Sequence, residues 1–312
     1  MAFYSICIPV YKNVQYVGRL LGSILEQSFT DFEVIITDDS PDNAIEIWLK
    51  AQYNDDRIHY YKNHVALGTP ENWNEGIRHA KGEWIKLMHD DDWFASPDAL
   101  QLFHDVATQQ NLKFIFAAYE YVNLENHKRE LMSLPGVRWK TVIKEPWALY
   151  ARNIIGPPSV TLVHRSITEL YDNRMKWLVD LDYYIRVLQQ GAAMYIDKPL
   201  VNIGVSSSQV TNECQLNPNV EIPEGLLLYS KLPPHAERNA LYFDAWWRLI
   251  RNLNIRDMDT FKRFSKGDIV PGFIQRIIKV QAQLPMAWLK IGPISKAFMG
   301  FHWLVNKAKL NS

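Results

Sequence analysis

Three consecutive carboxylates follow a short apolar run in the first third of the chain. His89 precedes the triplet Asp90–Asp92, and the run Trp84–Met88 before them is typical of a buried strand. Neighbouring carboxylates repel one another unless a cation lies between them, and alternate residues at a strand end can direct two oxygens to one divalent ion. Oxygen ligands suit Mg²⁺ or Mn²⁺, which in turn bind phosphate oxygens. The triplet alone leaves two interpretations open: a metal site, or a solvated acidic turn that caps the next helix.

Asp38 and Asp39 form a second acidic cluster, at the end of the apolar run Phe32–Ile36. Carboxylates in this position can accept hydrogen bonds from a nucleobase N–H group or from ribose hydroxyls. The sequence Ser40–Asp42 that follows is typical of a turn, so a helix cap or an Asx turn explains the pair as well. The pair alone therefore indicates no single role.

A third pair, Asp180 and Asp182, lies near the start of a predicted helix, Leu181–Gln190, which Gly191 ends. The dipole of a helix stabilises an anion near its N-terminus, so a capping role explains one of the two. A general base also needs an ionised carboxylate, held in a cleft. The residues alone leave both roles open.

The elements that must position these side chains alternate, over the first hundred residues, between apolar β-branched runs and segments with helical spacing. The alternation predicts an α/β fold, a largely parallel sheet with helices on both faces. Ligands of such sheets bind beyond the carboxyl ends of the strands, where three clusters fall: Pro9–Asn13, Asp38–Asp39 and Asp90–Asp92. The predicted strands are Ser5–Val10, Phe32–Ile36, Ile58–Tyr61 and Trp84–Met88, and the predicted helices are Tyr16–Glu26, Ala44–Tyr53 and one with Thr69 as N-cap and Pro70 as first residue.

After Pro97 the pattern is less regular. The sequence predicts strands over Leu112–Tyr121 and Val160–His164, a polar hairpin or loop over Val122–Leu131, and a loop over Gly204–Pro223. Pro233 and Pro234 mark a boundary. Beyond it the predicted helices are Ala236–Asn252, Asp259–Phe264 and Phe273–Val280, and Pro285, Gly292 and Pro293 interrupt the remainder.

The composition is that of a globular protein, because 47% of the 312 residues are hydrophobic and 22% are charged. This excludes a disordered or collagen-like chain. No apolar run reaches the roughly 18–20 residues that a membrane span needs, and the first residues do not resemble a signal peptide. With Cys7 and Cys214 as the two cysteines, a disulfide scaffold is excluded and a reducing, cytoplasmic location is expected.

The net charge of zero conceals two parts of opposite sign. Residues 231–312 contain 14 basic and five acidic residues, and no acidic residue follows Asp268. Phe273–Val280 has apolar residues on one face and cations on the other, and Trp and Phe recur among lysines further on. Such segments suit a membrane interface, so residues 269–312 are predicted to contact the inner face of the cytoplasmic membrane. Packing on the core and a dimer interface are the alternatives, and no nucleic-acid partner is expected because no reading motif accompanies the charge.

Several segments, in order and at suitable intervals, resemble glycosyltransferase family 2, the inverting enzymes of the GT-A fold. They are the opening strand and loop Ser5–Asn13, the stretch Leu25–Ser40, Asn74–Ile77 with Ala80–Ile85, the Asp-x-Asp-type motif Asp90–Asp92 with Pro97–Leu100, and Asp180–Arg186. The resemblance favours the metal interpretation of the acidic triplet. It implies a GT-A nucleotide-diphospho-sugar transferase domain over residues 1–230, nucleotide-binding to about residue 110 and acceptor-binding from about residue 111. A basic helical extension, residues 231–312, follows.

The resemblance also implies a reaction, a single inverting displacement on a nucleotide-diphosphate sugar. A UDP-sugar is favoured, with GDP- and dTDP-sugars open, and the acceptor is a saccharide hydroxyl, expected to be polyprenyl-diphosphate-linked, in the synthesis of a bacterial surface polysaccharide such as O-antigen. Asp180 is the implied base, and Asp90 and Asp92 are the implied ligands of Mn²⁺ or Mg²⁺. The implied donor-binding residues are Pro9, Tyr11, Asp38, Asp39, Asn74, Asp90 and Asp91.

The sequence departs from the family pattern at two places. The residue before the base is usually Glu and is Val179 here, and the downstream Arg-x-His is replaced by Gly204–Thr211, which has neither residue type. A nucleotidyltransferase is a second enzyme class, but it would need a Gly-rich, Arg-containing phosphate loop, which Pro9–Asn13 does not supply. A non-catalytic protein that binds a sugar nucleotide or a glycan is the other hypothesis, and the intact Asp90–Asp92 and Asp180 argue against it.

Overall fold

Four parallel strands near the N-terminus lead into the acidic clusters. They are β1 (Tyr4–Val10), β2 (Phe32–Asp38), β3 (Ile58–Lys62) and β4 (Trp84–Leu87), in the order β3-β2-β1-β4. β1 and β2 are buried along their full length, which explains their continuous apolar sequences. The computed structural model that gives this arrangement describes residues 2–109, 111–134, 142–206 and 214–309.

The connections between these strands are helical, as predicted. The helices are α1 (Val14–Leu25), α2 (Ala44–Gln52), α3 (Glu71–His79) and, after the acidic triplet, α4 (Ala99–Ala107). α1 begins because the side chain of Asn13 accepts a hydrogen bond from the Tyr16 N–H, and its buried face inserts Leu20 and Leu21 into the core. α3 begins at Glu71 with Pro70 as its cap, so the predicted start with Thr69 as cap is wrong by one residue.

The rest of the sheet is mixed. It contains β5 (Trp93–Phe94), β6 (Leu112–Asn123), β7 (Arg129–Met132), β8 (Thr161–His164) and β9 (Ala192–Val205). The full order is β3-β2-β1-β4-β8-β6-β9-β5, with β7 paired to β6. β8 runs antiparallel to β4 and β6, and β5 runs antiparallel to β9. The α/β fold class is confirmed, but parallel pairing is confined to β1–β4 and the β6–β9 pair. The β6–β7 pair is antiparallel because a short turn joins its two strands.

The described chain forms two compact units. The sheet unit comprises residues 1–144, 154–173 and 182–209, and the helical unit comprises residues 145–153, 174–181 and 210–312. The core of the sheet unit lies around buried residues of β1 and α1, among them Ile6, Ile8 and Leu21. The predicted functional division at residue 230 remains a prediction.

The helical unit has its own core around Trp246, Trp247 and Phe273. A 3₁₀ helix, Pro146–Ala151, packs with it. Its α-helices are the start of α5 (Val179–Leu188), then α6 (Pro218–Lys231), α7 (Ala240–Asn252), α8 (Met258–Phe264), α9 (Gly272–Gln283), α10 (Met286–Lys290) and α11 (Gly292–Lys309). None of the helices in the described ranges is both long and apolar enough to cross a bilayer.

One sequence prediction in this unit is wrong. The stretch Gly204–Pro223 is not a loop throughout, because β9 extends to Val205 and α6 begins at Pro218. Asn217 caps α6 by accepting a hydrogen bond from the Asn219 N–H, and Pro218 occupies the first turn, where its missing N–H costs nothing. These two residues are a helix-start signal that outweighs the turn-forming composition around them.

Candidate active site

The acidic loop, His89–Asp92, joins β4 to β5 at the carboxyl end of the parallel strands. The Met88 N–H donates to the carbonyl of Cys7 in β1 at 2.9 Å, which extends the pairing of the two strands up to the loop. The His89 N–H then donates to Ser159 Oγ, also at 2.9 Å. The segment around Ser159 is itself held by the fully buried Lys86, which donates to the Ser159 and Thr161 carbonyls. The loop is therefore fixed from the side of β8 as well as of β1.

Gly204, near the end of β9, contacts the other side of the acidic loop. Its N–H donates to Asp92 Oδ1 at 3.0 Å, and a Cβ at this position would lie 2.3 Å from the Asp91 carbonyl oxygen. The position requires glycine because no side chain fits so close to another backbone. Arg19 also donates to the Asp91 carbonyl while its guanidinium lies over the Trp93 ring, 3.9 Å from the centroid.

The loop concentrates negative charge where water is excluded. Asp92 is 1% exposed, and burial together with the charge of Asp91 raises the pKa of Asp92 well above its usual range. The same two causes raise the pKa of Asp90 to about 7. Among the described residues, Asp92 Oδ2 and His89 Nε2 are buried and have no hydrogen-bond partner. Burying a polar atom without a hydrogen-bond partner costs free energy, and two such atoms in one acidic loop are available to a ligand.

These atoms fit a divalent cation. His89, Asp91 and Asp92 each offer one ligand atom, and the three atoms lie within 4.8 Å of one another. Asp90 lies outside this group, so its role as a ligand remains a prediction. His89 was not predicted as a ligand, although a histidine beside an acidic triplet was the available signal.

In the second acidic pair, at the end of β2, every carboxylate oxygen accepts at least one hydrogen bond from within the protein. Asp38 has no exposed surface: Oδ1 accepts the Ser40 N–H at 2.7 Å, and Oδ2 accepts Tyr60 Oη at 2.7 Å and Lys62 Nζ at 3.2 Å. These bonds tie the strand end to β3 and to the turn that follows β2. The role of Asp38 in donor binding remains a prediction.

Asp39 holds the loop that precedes α3. Its Oδ1 accepts hydrogen bonds from Asn63 Nδ2 at 2.7 Å and from the Leu67 N–H at 3.0 Å, and its Oδ2 accepts the Gly68 N–H at 2.8 Å. Asp39 is buried, with 6% of the residue exposed. Two oxygens offer about four acceptor positions, so three donors leave one position for a ligand.

The remaining predicted donor-binding residues differ in exposure. Pro9 is buried within β1, opposite Thr37 of β2, whereas Tyr11 is 54% exposed just beyond the strand. Asn74 is buried in α3, where both N–H groups of its amide are used by Glu71 Oε2 and the Tyr171 carbonyl. The structure thus brings Pro9 and Tyr11 to the same sheet edge as the two acidic clusters, while Asn74 anchors the segment at Tyr171.

Asp180 occupies the first turn of α5, in the part of that helix that belongs to the helical unit. Burial raises its pKa to about 7. Its Oδ1 is inaccessible to solvent and receives no hydrogen bond from any described residue. Asp182 differs, because its carboxylate accepts two hydrogen bonds from Arg186, one turn later, at 3.0 and 2.8 Å. The residues 207–213, which would contain the counterpart of the family's Arg-x-His, lie outside the described ranges.

Comparison with curated proteins gives several relatives. A Mycobacterium tuberculosis protein of uncharacterized function is 25% identical over 91% of this chain and 94% of its own length. The putative colanic acid biosynthesis glycosyl transferase WcaA of Escherichia coli is 29% identical over 67% of this chain and 75% of its own length. A UDP-Glc:α-D-GlcNAc-diphosphoundecaprenol β-1,3-glucosyltransferase, WfgD of E. coli, is 23% identical over 52% of this chain and 65% of its own length.

Comparison with solved structures shows the fold. Staphylococcus aureus TarS in complex with UDP-GlcNAc is similar with a TM-score of 0.59 at 13% identity, covering 84% of this chain and 83% of that one. The mannosyltransferase PcManGT of Pyrobaculum calidifontis, in complex with GDP-Man and Mn²⁺, has a TM-score of 0.55 at 13% identity and covers 99% of this chain and 87% of that one. The predicted GT-A fold is thereby confirmed. The family model described as Glycosyl transferase family 2 matches residues 5–167, more than half of the chain, so this protein belongs to glycosyltransferase family 2 and is a transferase.

Proposed function

We propose that the protein transfers a sugar from a nucleotide-diphosphate sugar to a saccharide hydroxyl, with inversion, in the synthesis of a bacterial surface polysaccharide. The observation that supports the proposal is the acidic loop, whose buried Asp92 Oδ2 and His89 Nε2 have no hydrogen-bond partner within the described ranges. The relatives named for colanic acid biosynthesis and for transfer of Glc to a diphosphoundecaprenol-linked sugar support a polysaccharide product. They also support a UDP-sugar as donor and a lipid-diphosphate-linked acceptor.

A divalent cation, Mn²⁺ or Mg²⁺, fits the acidic loop. Asp92 would hold it, together with Asp90, as the resemblance implies, or with Asp91 and His89, as the grouping of ligand atoms favours. When bound there, such a cation neutralises charge on the leaving diphosphate. The Mn²⁺ in the PcManGT complex supports a metal in this fold.

The nucleoside of the donor is assigned to the edge formed by β1 and β2. Asp39 has one acceptor position left for a base N–H or a ribose hydroxyl, and the exposed ring of Tyr11, just beyond β1, offers a flat apolar surface. Pro9, Asp38 and Asn74 are buried, and we assign them to supporting this edge from within. Asp91 is assigned to the sugar or ribose.

Asp180 is proposed as the general base. It accepts the proton of the acceptor hydroxyl while that oxygen bonds to the anomeric carbon, and the bond to the diphosphate breaks with its electron pair leaving on the diphosphate. A pKa of about 7 suits this role, because the carboxylate is available at neutral pH and still basic enough to take the proton.

Assays of transfer and donor binding across UDP-, GDP- and dTDP-sugars, with Mn²⁺, with Mg²⁺ and with EDTA, test the proposal. We expect one donor class to bind and to be consumed with either metal, and both signals to disappear with EDTA. Asp180→Asn should bind that donor but not turn it over. Binding without turnover under every condition would favour the non-catalytic glycan- or nucleotide-binding hypothesis, and absence of metal-dependent binding would contradict the metal assignment.

The extension over residues 231–312 is proposed to hold the catalytic part, residues 1–230, at the inner face of the cytoplasmic membrane. α11 supports this, because it has two different faces. Ser295 and Asn306 are buried, whereas the opposite face presents exposed apolar side chains at helical spacing: Ile294, Phe301, Leu304 and Val305. Lys290, at the end of α10, and Lys296 and Lys307 of α11 are also exposed, and no acidic residue follows Asp268. Apolar and cationic side chains together match an anionic bilayer surface.

Flotation of the full chain with lipid vesicles tests the membrane proposal. We expect binding to phosphatidylglycerol-rich vesicles, weaker binding to pure phosphatidylcholine, and loss of most binding in F301E/L304E. The matched control is I47E, since Ile47 is 68% exposed in α2 of the sheet unit. Equal flotation of F301E/L304E and wild type would contradict the proposal, and self-association of the wild type without lipid would favour a dimer interface.

A further inference from the structure

The segment that leads into α5 is held by one carboxylate from α6. The main-chain N–H of Lys176 donates to Glu224 Oε1 at 2.8 Å. The N–H groups of Trp177 and Leu178 donate to Glu224 Oε2 at 2.9 and 2.7 Å. Three successive backbone donors thus converge on a single side chain, immediately before the turn that contains Asp180.

The packing of α6 explains why Glu224 can reach this segment. A Cβ on the next residue, Gly225, would lie 2.8 Å from Tyr150 Oη and 3.0 Å from the Trp246 ring, so the glycine lets α6 approach these aromatic residues closely. Glu224 is 7% exposed as a result. All of these residues, and Asp180, belong to the helical unit.

A carboxylate is the side chain that fits three converging N–H groups. Both of its oxygens only accept hydrogen bonds, and a charged acceptor bonds about twice as strongly as a neutral one. An amide at the same place would turn an NH₂ group toward at least one backbone N–H. The negative charge also lies beside the N-terminal end of α5, where the helix dipole favours an anion.

From this geometry we propose that Glu224 is a positioning residue for Asp180. It fixes the backbone of residues 176–178, and the backbone fixes the start of α5 and the direction in which the Asp180 carboxyl points. Displacement of a reacting group by about 1 Å can cost about 10²-fold in rate, so control of this backbone has a large effect on proton transfer. The inference rests on the proposed function, in which Asp180 is the base.

The test compares Glu224→Gln with a matched control, Glu237→Gln, in the full chain. Glu237 is also buried in the helical unit, where it accepts a hydrogen bond from Tyr229 Oη at 3.0 Å. We expect E224Q to lower kcat for transfer about 10–100-fold with the donor KM within about twofold, and E237Q to leave both unchanged. Because Glu224 acts through Asp180, E224Q should add no further loss in the D180N background.

Glu224→Asp keeps the charge on a shorter side chain and should recover part of the lost kcat, so this variant serves if E224Q does not fold. Full turnover by E224Q, an additive loss in the double variant, or an equal loss in E237Q would overturn the inference. Wild-type transfer by D180N would overturn the assignment of the base and the inference with it. A strong D180N defect beside a fully active E224Q overturns the inference alone.

Discussion

The acidic pair after β2 and the acidic triplet after β4 look alike in sequence and differ in their surroundings. Asp38 and Asp39 each receive three hydrogen bonds from within the protein. In the triplet, burial and mutual repulsion raise the pKa of Asp90 and Asp92, and one oxygen of Asp92 has no hydrogen-bond donor among the residues described. The first cluster stabilises the fold, whereas the second lowers the free energy of unfolding when no ligand is bound.

The type and spacing of acidic residues therefore do not identify a cation site. The number of hydrogen-bond donors that the protein itself provides to each carboxylate distinguishes a cation site from a structural cluster. A carboxylate whose acceptor positions are all occupied has little to offer a metal. By this criterion Asp180 resembles Asp92, since both have a buried oxygen without a donor in the described parts of the chain. Substitutions in the two clusters and at Asp180 test this difference.

Asp180→Asn should have the largest effect. Loss of the base should lower kcat about 10³-fold, and the wild-type pH profile should depend on the same carboxyl. Burial raises its pKa to about 7, and only the deprotonated form accepts a proton, so log kcat should rise with slope one below pH 7 and level off above it. Steady-state rates from pH 5 to 9 measure this. A wild-type profile without an inflection near 7, or a D180N profile that keeps it, would contradict the assignment.

Asp92→Asn should lower kcat/KM by about 10²-fold or more and abolish metal-dependent donor binding. In EDTA at pH 8, however, it should raise the free energy of unfolding. The folded state raises the pKa of Asp92, so it disfavours the charged form, and the neutral amide removes that cost. Urea unfolding followed by circular dichroism measures the change in midpoint. A lower midpoint in D92N would show that the triplet is structural.

Asp38→Asn is the counterpart and should act in the opposite direction on stability. Its three internal donors include Lys62, so the substitution should lower the free energy of unfolding by about 1–3 kcal/mol. The same urea titration applies, with an unchanged m-value as the sign that both states keep their compactness. Equal shifts in D38N and D92N would remove the distinction between the two clusters.

Gly204→Ala should have a smaller effect, about 10-fold on kcat/KM, because the new Cβ would push the Asp91 carbonyl and move the acidic loop. Gly22→Ala is the control: a Cβ there meets no atom within 4 Å, and alanine in α1 should leave activity unchanged while slightly stabilising the fold. Retention of full metal-dependent activity by G204A would mean that the loop does not depend on β9.

The strands β1–β4 and the helices between them could be predicted from sequence, because their local hydrophobic patterns match the way these elements are buried in the fold. β9 was missed, since Asp197-Lys198-Pro199 interrupts its apolar residues and its pairing with β6 shifts register near Ala117 and Ala118. In α6, a turn-rich composition concealed a helix that packing stabilises. Local propensity is a weak guide where long-range contacts decide the structure.

The residues of the site also divide into those that could be predicted from the sequence and those that could not. The acidic loop could be found because its members are consecutive and follow a strand. Glu224 could not, because it lies 46 residues from Leu178 in the chain and meets it only through folding. The internal donors to Asp38 and Asp39 likewise come from other elements, so their number could be read only from the structure.

The two faces of α11 also have a practical consequence for handling the protein. Its inner face belongs to the fold: Ser295 accepts a hydrogen bond from Trp247 Nε1 at 3.0 Å, and Trp303 Nε1 donates to the Arg238 carbonyl at 3.0 Å. Deleting the helix to improve solubility would remove the acceptor of the buried Trp247 and the Trp303 donor to Arg238, and it would uncover the core around Trp247. Single substitutions on the outer face, at Phe301 or Leu304, would reduce nonspecific association during purification and leave the core intact.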